Sequence, residues 1–289
     1  MSFHGSHATF VTSLQLKVEN LTKSIQFYRD TLGFKILEQD ERTAKLTADG
    51  KTTILTLVQP ANVIPKQGRT TGLFHFALLL PDRSDLALLV IHLAKKDIKF
   101  GASDHLVSEA IYFDDPDGNG IEIYADTAPS TWQWTEKYVA MDTIPLDFDD
   151  LLASVSHLQD TWSGMPRSTI IGHIHLHVSE LQAAETFYTK GLGFEIVSRF
   201  RDSAIFLSTD KYHHHIALNT WNGVGAPKPP RNSAGLDFFT LVFPNRERLE
   251  QAIADLEKIG ATVGKANGKI AIEDPAGNAI LLIVEGENL

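Results

Sequence analysis

The sequence predicts an α+β protein built from four copies of one βαβββ module. Three observations carry that expectation. The stretch "LQLKVENLTKSIQFYRDTLGFKIL" (Leu14–Leu37) is repeated in outline by "IHLHVSELQAAETFYTKGLGFEIV" (Ile174–Val197). A second pair, "GLFHFALLLPDRSDLALLVIHLAKKDI" (Gly72–Ile98) and "GLDFFTLVFPNRERLEQAIADLEKIGA" (Gly235–Ala261), repeats in the same way. Each member of that second pair runs on to a closing segment, "DDPDGNGIEIYAD" or "EDPAGNAILLIVEG". Self-similarity at this length marks a repeated supersecondary unit.

Modules one and three each open with a short alternating strand and a turn. An amphipathic helix follows, with Phe-Tyr near its end, then a Leu-Gly-Phe stop and a new strand. Gly33 and Gly193 are the expected helix caps, because glycine enters the left-handed region at little cost. Modules two and four each give a strand, a helix, a hairpin turn and a closing strand. The chain thus divides into a first half, 1–128 (modules one and two), a linker, 129–168, and a second half, 169–289 (modules three and four). The linker carries Pro, Ser and Thr at its ends and a predicted helix around Leu146 to Leu158. Trp132, Trp134 and Trp162 are expected to pack this linker onto a domain rather than to bind a ligand.

Bulk properties exclude several classes. The 289 residues are 43% hydrophobic and 21% charged, which suits an ordinary globular protein of two domains. A net charge of -10 argues against a nucleic-acid surface, since phosphate binding needs a cationic stripe. The absence of cysteine removes disulfides, thiolate metal sites and cysteine nucleophiles. The N-terminus "MSFHGSHATF" has no basic segment followed by an apolar run, and no apolar stretch is bilayer-length, so a cytoplasmic protein without a membrane partner is expected.

Histidine is the informative residue. In "GHIHLHVSE", His173, His175 and His177 alternate along a strand and share one face, while Ile174, Leu176 and Val178 take the other. The stretch "KYHHHIALNT" supplies His213, His214 and His215. Glu122 alternates with Ile121 and Ile123, so it turns from the apolar side, and a buried carboxylate needs a cation.

Paired βαβββ modules with these Phe-Tyr and Leu-Gly-Phe signatures resemble the vicinal oxygen chelate superfamily, which includes glyoxalases, fosfomycin and bleomycin resistance proteins and extradiol ring-cleaving dioxygenases. The resemblance covers nearly the whole chain apart from the linker. It implies that modules pair into two incomplete-barrel domains with a metal inside. It also implies a ligand five positions before the aliphatic residue closing a first strand, which is His173 before Val178 and His75 before Leu80. The matching residues of modules one and four, Ser13 and Phe238, bind metal poorly. The glutamate expected after the DP-x-G-N turn is Glu122 in module two but Leu281 in module four. Modules two and three are therefore expected to share a cavity in which His75, His173 and Glu122 converge. Two imidazoles and a carboxylate form the facial set of ferrous oxygenases, and manganese(II) accepts the same ligands.

The resemblance also bears on chemistry. Metal-dependent glyoxalases of this fold use a further glutamate in a strand reading like "IELTYNW". The stretch here is "IALNTWN", with Ala217 at that place. "DHLVSEAIYFDDPDGNGIEIYAD" resembles the closing segment of extradiol dioxygenases, with His105 as a substrate-binding histidine and Tyr112 as the catalytic tyrosine. "HHHIAL" resembles their "HHDIAL" motif, whose second histidine is the acid–base residue. That position is His214, expected near its ordinary pKa, with His215 as the other choice. His175 and His215 are expected to line the substrate pocket, with Trp221, Phe206 and the loop Asn222–Gly235 shaping it. His177 and His213 are expected to be solvated or in a loop. His4 and His7 are placed in a frayed terminus, His92 on a helix face and His157 in the linker.

The chain most resembles the Bacillus-type catechol-2,3-dioxygenases. The expected activity is Fe(II)-dependent extradiol cleavage of catechol or a substituted catechol, with O2 as co-substrate, in aromatic-compound breakdown. A small aromatic diol is the expected partner, and a homo-oligomer is compatible with the sequence. The competing expectations are a glyoxalase-like metal-dependent isomerase or lyase, and a non-catalytic small-molecule binder of the resistance type.

Overall fold

The computed structural model describes residues 3–155, 161–266 and 268–286. Module one comprises β1 (Phe10–Lys17), α1 (Leu21–Gln26), β2 (Lys35–Gln39), β3 (Thr43–Thr47) and β4 (Leu55–Val58). Module two comprises β5 (Gly72–Leu79), α2 (Arg83–Lys95), β6 (Gly101–Asp104), β7 (Ser108–Asp114) and β8 (Gly120–Asp126). The linker holds α3 (Phe148–Ala153), started by the Asp147 side chain, which accepts from Asp150 N at 3.0 Å. The expected linker helix is therefore shorter, and its predicted end, with His157, lies outside the described residues. Module three comprises β9 (Ile170–His177), α4 (Leu181–Thr186), β10 (Glu195–Phe200), β11 (Ala204–Ser208) and β12 (Ile216–Asn219). Module four comprises β13 (Gly235–Phe243), α5 (Arg246–Lys258), β14 (Val263–Ala266), β15 (Lys269–Glu273) and β16 (Ala279–Val284).

These strands form two curled eight-stranded sheets, and neither sheet is built within one half of the chain. One has the order β14-β15-β16-β13-β1-β4-β3-β2, joining modules four and one. The other has the order β10-β11-β12-β9-β5-β8-β7-β6, joining modules three and two. The pairing of module two with module three is the one that the histidine pattern favoured. Strand alternation then sorts the side chains of the second sheet. Phe76 and Leu78 of β5, Ile121 and Ile123 of β8, and Ile174 and Leu176 of β9 belong to the main core, as do Leu86, Leu89 and Leu93 of α2. Each such buried side chain contributes about 1.5–3 kcal/mol of transfer free energy. The alternate residues, His75, Ala77, Glu122, His173 and His175, are left on the opposite, concave face.

The Phe-Tyr signature acquires a physical reason. α1 and α4 end in π turns, Phe27–Thr31 and Phe187–Gly191. These aim Tyr28 and Tyr188 at the Asp-Pro turns, where Tyr28 Oη donates to Asp115 Oδ2 (2.9 Å) and Tyr188 Oη donates to Asp274 Oδ2 (3.1 Å). The helices of modules one and three are thereby tied to modules two and four within each half. Gly33 (φ +82°) and Gly193 (φ +79°) take the left-handed conformation expected of caps. Among the described residues no helix is long and apolar enough to cross a membrane.

Candidate metal centre

Sheet register builds the centre. Ala77 of β5 lies opposite His173 of β9 on one side and opposite Glu122 of β8 on the other. His75 lies two residues back along β5, on the same face, opposite His175. A small residue thus separates an imidazole from a carboxylate, with a second imidazole one pleat away. A bulge aids the approach, because β9 slips register between His173 and Ile171 so that Gly172 has no partner on β5. Tyr124 Oη fills the space over Gly172, only 1.8 Å from where a Cβ would stand.

The resulting set is compact and dry. His75, Glu122 and His173 are 7%, 3% and 1% exposed, and their ligand atoms all lie within 4.8 Å of one another. Glu122 Oε2 accepts from His173 Nε2 at 3.0 Å and lies 2.9 Å from His75 Nε2. His75 Nε2 nevertheless makes no hydrogen bond among the described residues. Its distance is right for a pair but its direction is not, so a buried donor or acceptor is left over. Burial opposes ionisation of Glu122, yet the His173 and His75 imidazoles overcome it and hold the carboxyl well below its usual range. Burial lowers His173 to about 4, leaving it neutral as metal ligation demands. An anionic oxygen and two imidazoles, one of them with an orphaned nitrogen, fit a divalent cation held by these three residues. Ala217, opposite His175 in the register, offers only a methyl group.

The centre opens on a cavity of about 570 Å³. Phe74, Phe206 and Trp221 give it aromatic walls, and Met141, Asp142 and Thr143 of the linker close one side. A groove of about 1160 Å³ between α4, α5 and β15 is larger but carries no histidine. The 570 Å³ cavity is the one lined by the converging His75, Glu122 and His173. It lies within the size range of small-molecule sites.

Tyr112 lines the cavity beside the centre, its ring 5.8 Å from that of His75. Burial, and then the Glu122 charge, raise its hydroxyl well above the ordinary value. His105 Nδ1 donates to the Asp142 carbonyl (2.8 Å), so in the neutral ring Nε2 is left to accept from Tyr112 Oη at 2.6 Å. His175 also lines the cavity, and its Nε2 accepts from Asn219 Nδ2 (2.9 Å). Asn219 Oδ1 in turn accepts from His177 Nδ1 (2.7 Å), so His177 is half-buried and bonded rather than solvated.

The "HHH" run requires corrections. His214 reaches the cavity, its ring 4.0 Å from that of His173. Its pKa is not ordinary, because burial and then the neighbouring His173 push it well below the usual value. His215 does not line the cavity. Its Nε2 donates to the Phe3 carbonyl (2.9 Å) and its Nδ1 meets Ser208 Oγ (3.2 Å), because the N-terminal segment folds over it. That segment is also not frayed at His4, whose ring packs on Tyr212 and His215 while Nε2 donates to Gly172 O (2.8 Å). His7 is exposed and His92 bonds Thr31 O from a helix face, as expected. His213 lies in the loop between β11 and β12, as expected, but is fully buried there, with Nε2 donating to Asp126 Oδ1 at 2.8 Å. Sequence reasoning missed Asp126, Asn219 and the linker residues, since their partners are distant in the chain. Trp132 packs the linker against Val139, Val197 and Tyr212, and Trp134 packs on the same cluster, while Trp162 packs against the main core.

The sequence matches the family model for the glyoxalase/bleomycin resistance protein/dioxygenase superfamily over residues 10–123 and 170–282. The chain belongs to this superfamily. Within the superfamily, it is 42% identical over 279 residues to the catechol-2,3-dioxygenase of Bacillus subtilis (strain 168), covering 96% of this chain and 97% of that protein. It is 28% identical over 163 residues to biphenyl-2,3-diol 1,2-dioxygenase 3 of Rhodococcus globerulus, covering 54% of this chain and 83% of that one. The glyoxalase I of Zea mays has the same superfamily fold, with a TM-score of 0.58 at 15% identity over 95% of this chain and 92% of that chain.

Proposed function

We propose that this chain is an extradiol dioxygenase that opens the ring of catechol or a substituted catechol beside the two hydroxyls, placing both atoms of O2 in the product. The observation that carries this reading is the buried His75–Glu122–His173 set on the wall of an aromatic cavity, with no fourth protein ligand at Ala217. The name of the 42% identical relative from Bacillus subtilis supports it.

His75, His173 and Glu122 would hold iron(II), with manganese(II) the alternative of like preference. When bound, such an ion lowers the pKa of a coordinated hydroxyl and supplies the redox path by which dioxygen reacts. The chain's own residues do the rest. Phe74, Phe206 and Trp221 line the pocket beside the aromatic ring and shield it from water. His214 takes a hydroxyl proton from the diol and returns it as the ring opens, an exchange worth about 10²–10⁴ in rate. Tyr112 turns its O–H from His105 to the developing carbonyl oxygen and stabilises charge there. His175, steadied by Asn219, borders the bound ring.

The test is anaerobic reconstitution with iron(II), then admission of air and catechol. A yellow ring-fission semialdehyde with matching oxygen uptake is the expected result. Loaded protein that consumes no oxygen with any dihydroxybenzene overturns the reading.

A further inference from the structure

His214 is held by a chain of hydrogen bonds that begins outside the cavity. Asp126, the last residue of β8, accepts from His213 Nε2 at 2.8 Å. It also accepts from Tyr212 Oη (3.1 Å), which in turn pairs with Tyr124 Oη at 2.7 Å. His213 Nδ1 then meets His214 Nδ1 at 2.9 Å. His214 Nε2 has no protein partner among the described residues, and His214 lines the cavity.

The order of protons follows from donor and acceptor capacity. Both Asp126 oxygens accept from Tyr212 Oη and Oδ1 also faces His213 Nε2, so the hydrogen of that contact sits on Nε2. In the neutral ring, Nδ1 of His213 is then a bare lone pair. Two facing nitrogens at 2.9 Å need one hydrogen between them; with His213 carrying hydrogen on Nε2 alone, it comes from His214. The remaining nitrogen of a neutral His214 is bare.

We propose that Asp126 and His213 are positioning residues that lock His214 as the Nδ1-protonated tautomer, presenting the Nε2 lone pair to the cavity as a base. Asp126 and His213 touch no reacting atom. They act through the orientation and tautomer of His214, as a buried carboxylate does when it orients an imidazole in other acid–base sites. The consequence for turnover rests on the dioxygenase reading above, while the tautomer itself does not.

The test uses the full chain with 15N-labelled histidine, loaded with diamagnetic zinc(II). Two-bond 1H–15N spectra report which ring nitrogen carries hydrogen, and His214→Phe identifies the His214 signals by their loss. The unmodified protein is expected to show His214 protonated on Nδ1. In Asp126→Asn that signal is expected to shift toward the Nε2-protonated form. With iron(II), the same variant is expected to lose about 10- to 100-fold in kcat at unchanged KM and metal content. An Nε2-protonated His214 in the unmodified protein overturns the proposal, whether or not the variant folds. An unchanged tautomer in folded Asp126→Asn overturns it as well. The expected tautomers in a chain that cleaves no catechol support the relay and sink the dioxygenase reading instead.

Discussion

His75 Nε2 stands 2.9 Å from Glu122 Oε2 without a hydrogen bond between them. A buried polar atom left unpaired costs about 1–3 kcal/mol. A cation received by both atoms removes that cost, so the metal should stabilise the fold as well as serve chemistry. Loading at a hundredfold excess over Kd is expected to add about 2.7 kcal/mol. Glu122→Gln keeps the shape and removes the anion. It is expected to lose the metal-dependent rise in melting temperature and to dialyse free of metal. Calorimetry with and without chelator reads this, and a variant that keeps both metal and shift would remove Glu122 from the centre.

The His214 ring packs 4.0 Å from His173 yet is not one of the three converging ligands. Phenylalanine there preserves volume and deletes the base. His214→Phe is expected to keep full metal content and to slow ring cleavage about 10²–10⁴-fold. Steady-state kinetics beside metal analysis separates the two effects. Undiminished turnover would take His214 out of the reaction.

Gly172 lets Tyr124 reach the sheet beside the centre. A Cβ at this position would stand 1.8 Å from Tyr124 Oη, inside any tolerable contact. Gly172→Ala must displace either the tyrosine or the bulge that sets His173. Overpacking of this kind costs about 1–3 kcal/mol. The expected result is a lower urea midpoint together with weaker metal binding. A variant as stable as the parent would mean that the bulge absorbs a methyl group freely.

Some of this was legible in the chain. The shared face of His173 and His175 and the strand phase of Glu122 follow from the two-residue repeat of a strand, which a sequence displays directly, while the choice of His75 and His173 as ligands came from the family resemblance. The cross-half pairing was legible because the candidate ligands occur in modules two and three alone. The fates of His213 and His215 were not legible. Adjacent residues in "HHH" point apart, and what each meets is decided by Asp126 and Phe3, 87 and 212 positions away. His214's lowered pKa is likewise a property of burial, which no local pattern encodes. The contribution of Asp142 was hidden because it acts through a backbone carbonyl, which any residue supplies.

The buried imidazoles set a pH dependence for the metal-free protein. Burial lowers His4 and His173 to about 4 and pushes His175, His214 and His215 well below their ordinary value. In the unfolded chain each titrates near 6.5. Between about 4 and 6.5 the unfolded state therefore binds more protons than the folded one, and stability rises with pH across that window. Glu122 acts in the same direction only lower down, since its depressed pKa gives stability that is lost as pH falls below the ordinary carboxylate range. Each fully neutral histidine contributes at most about 1.4 kcal/mol per pH unit. The urea midpoint of the chelated protein is thus expected to hold from pH 8 to 7 and to fall steeply toward pH 5. His4→Phe, which removes a group outside the centre, is expected to make that fall shallower. A midpoint that stays level down to pH 5 would mean that these rings gain protons without unfolding, and that the concave face is wetter than its packing implies.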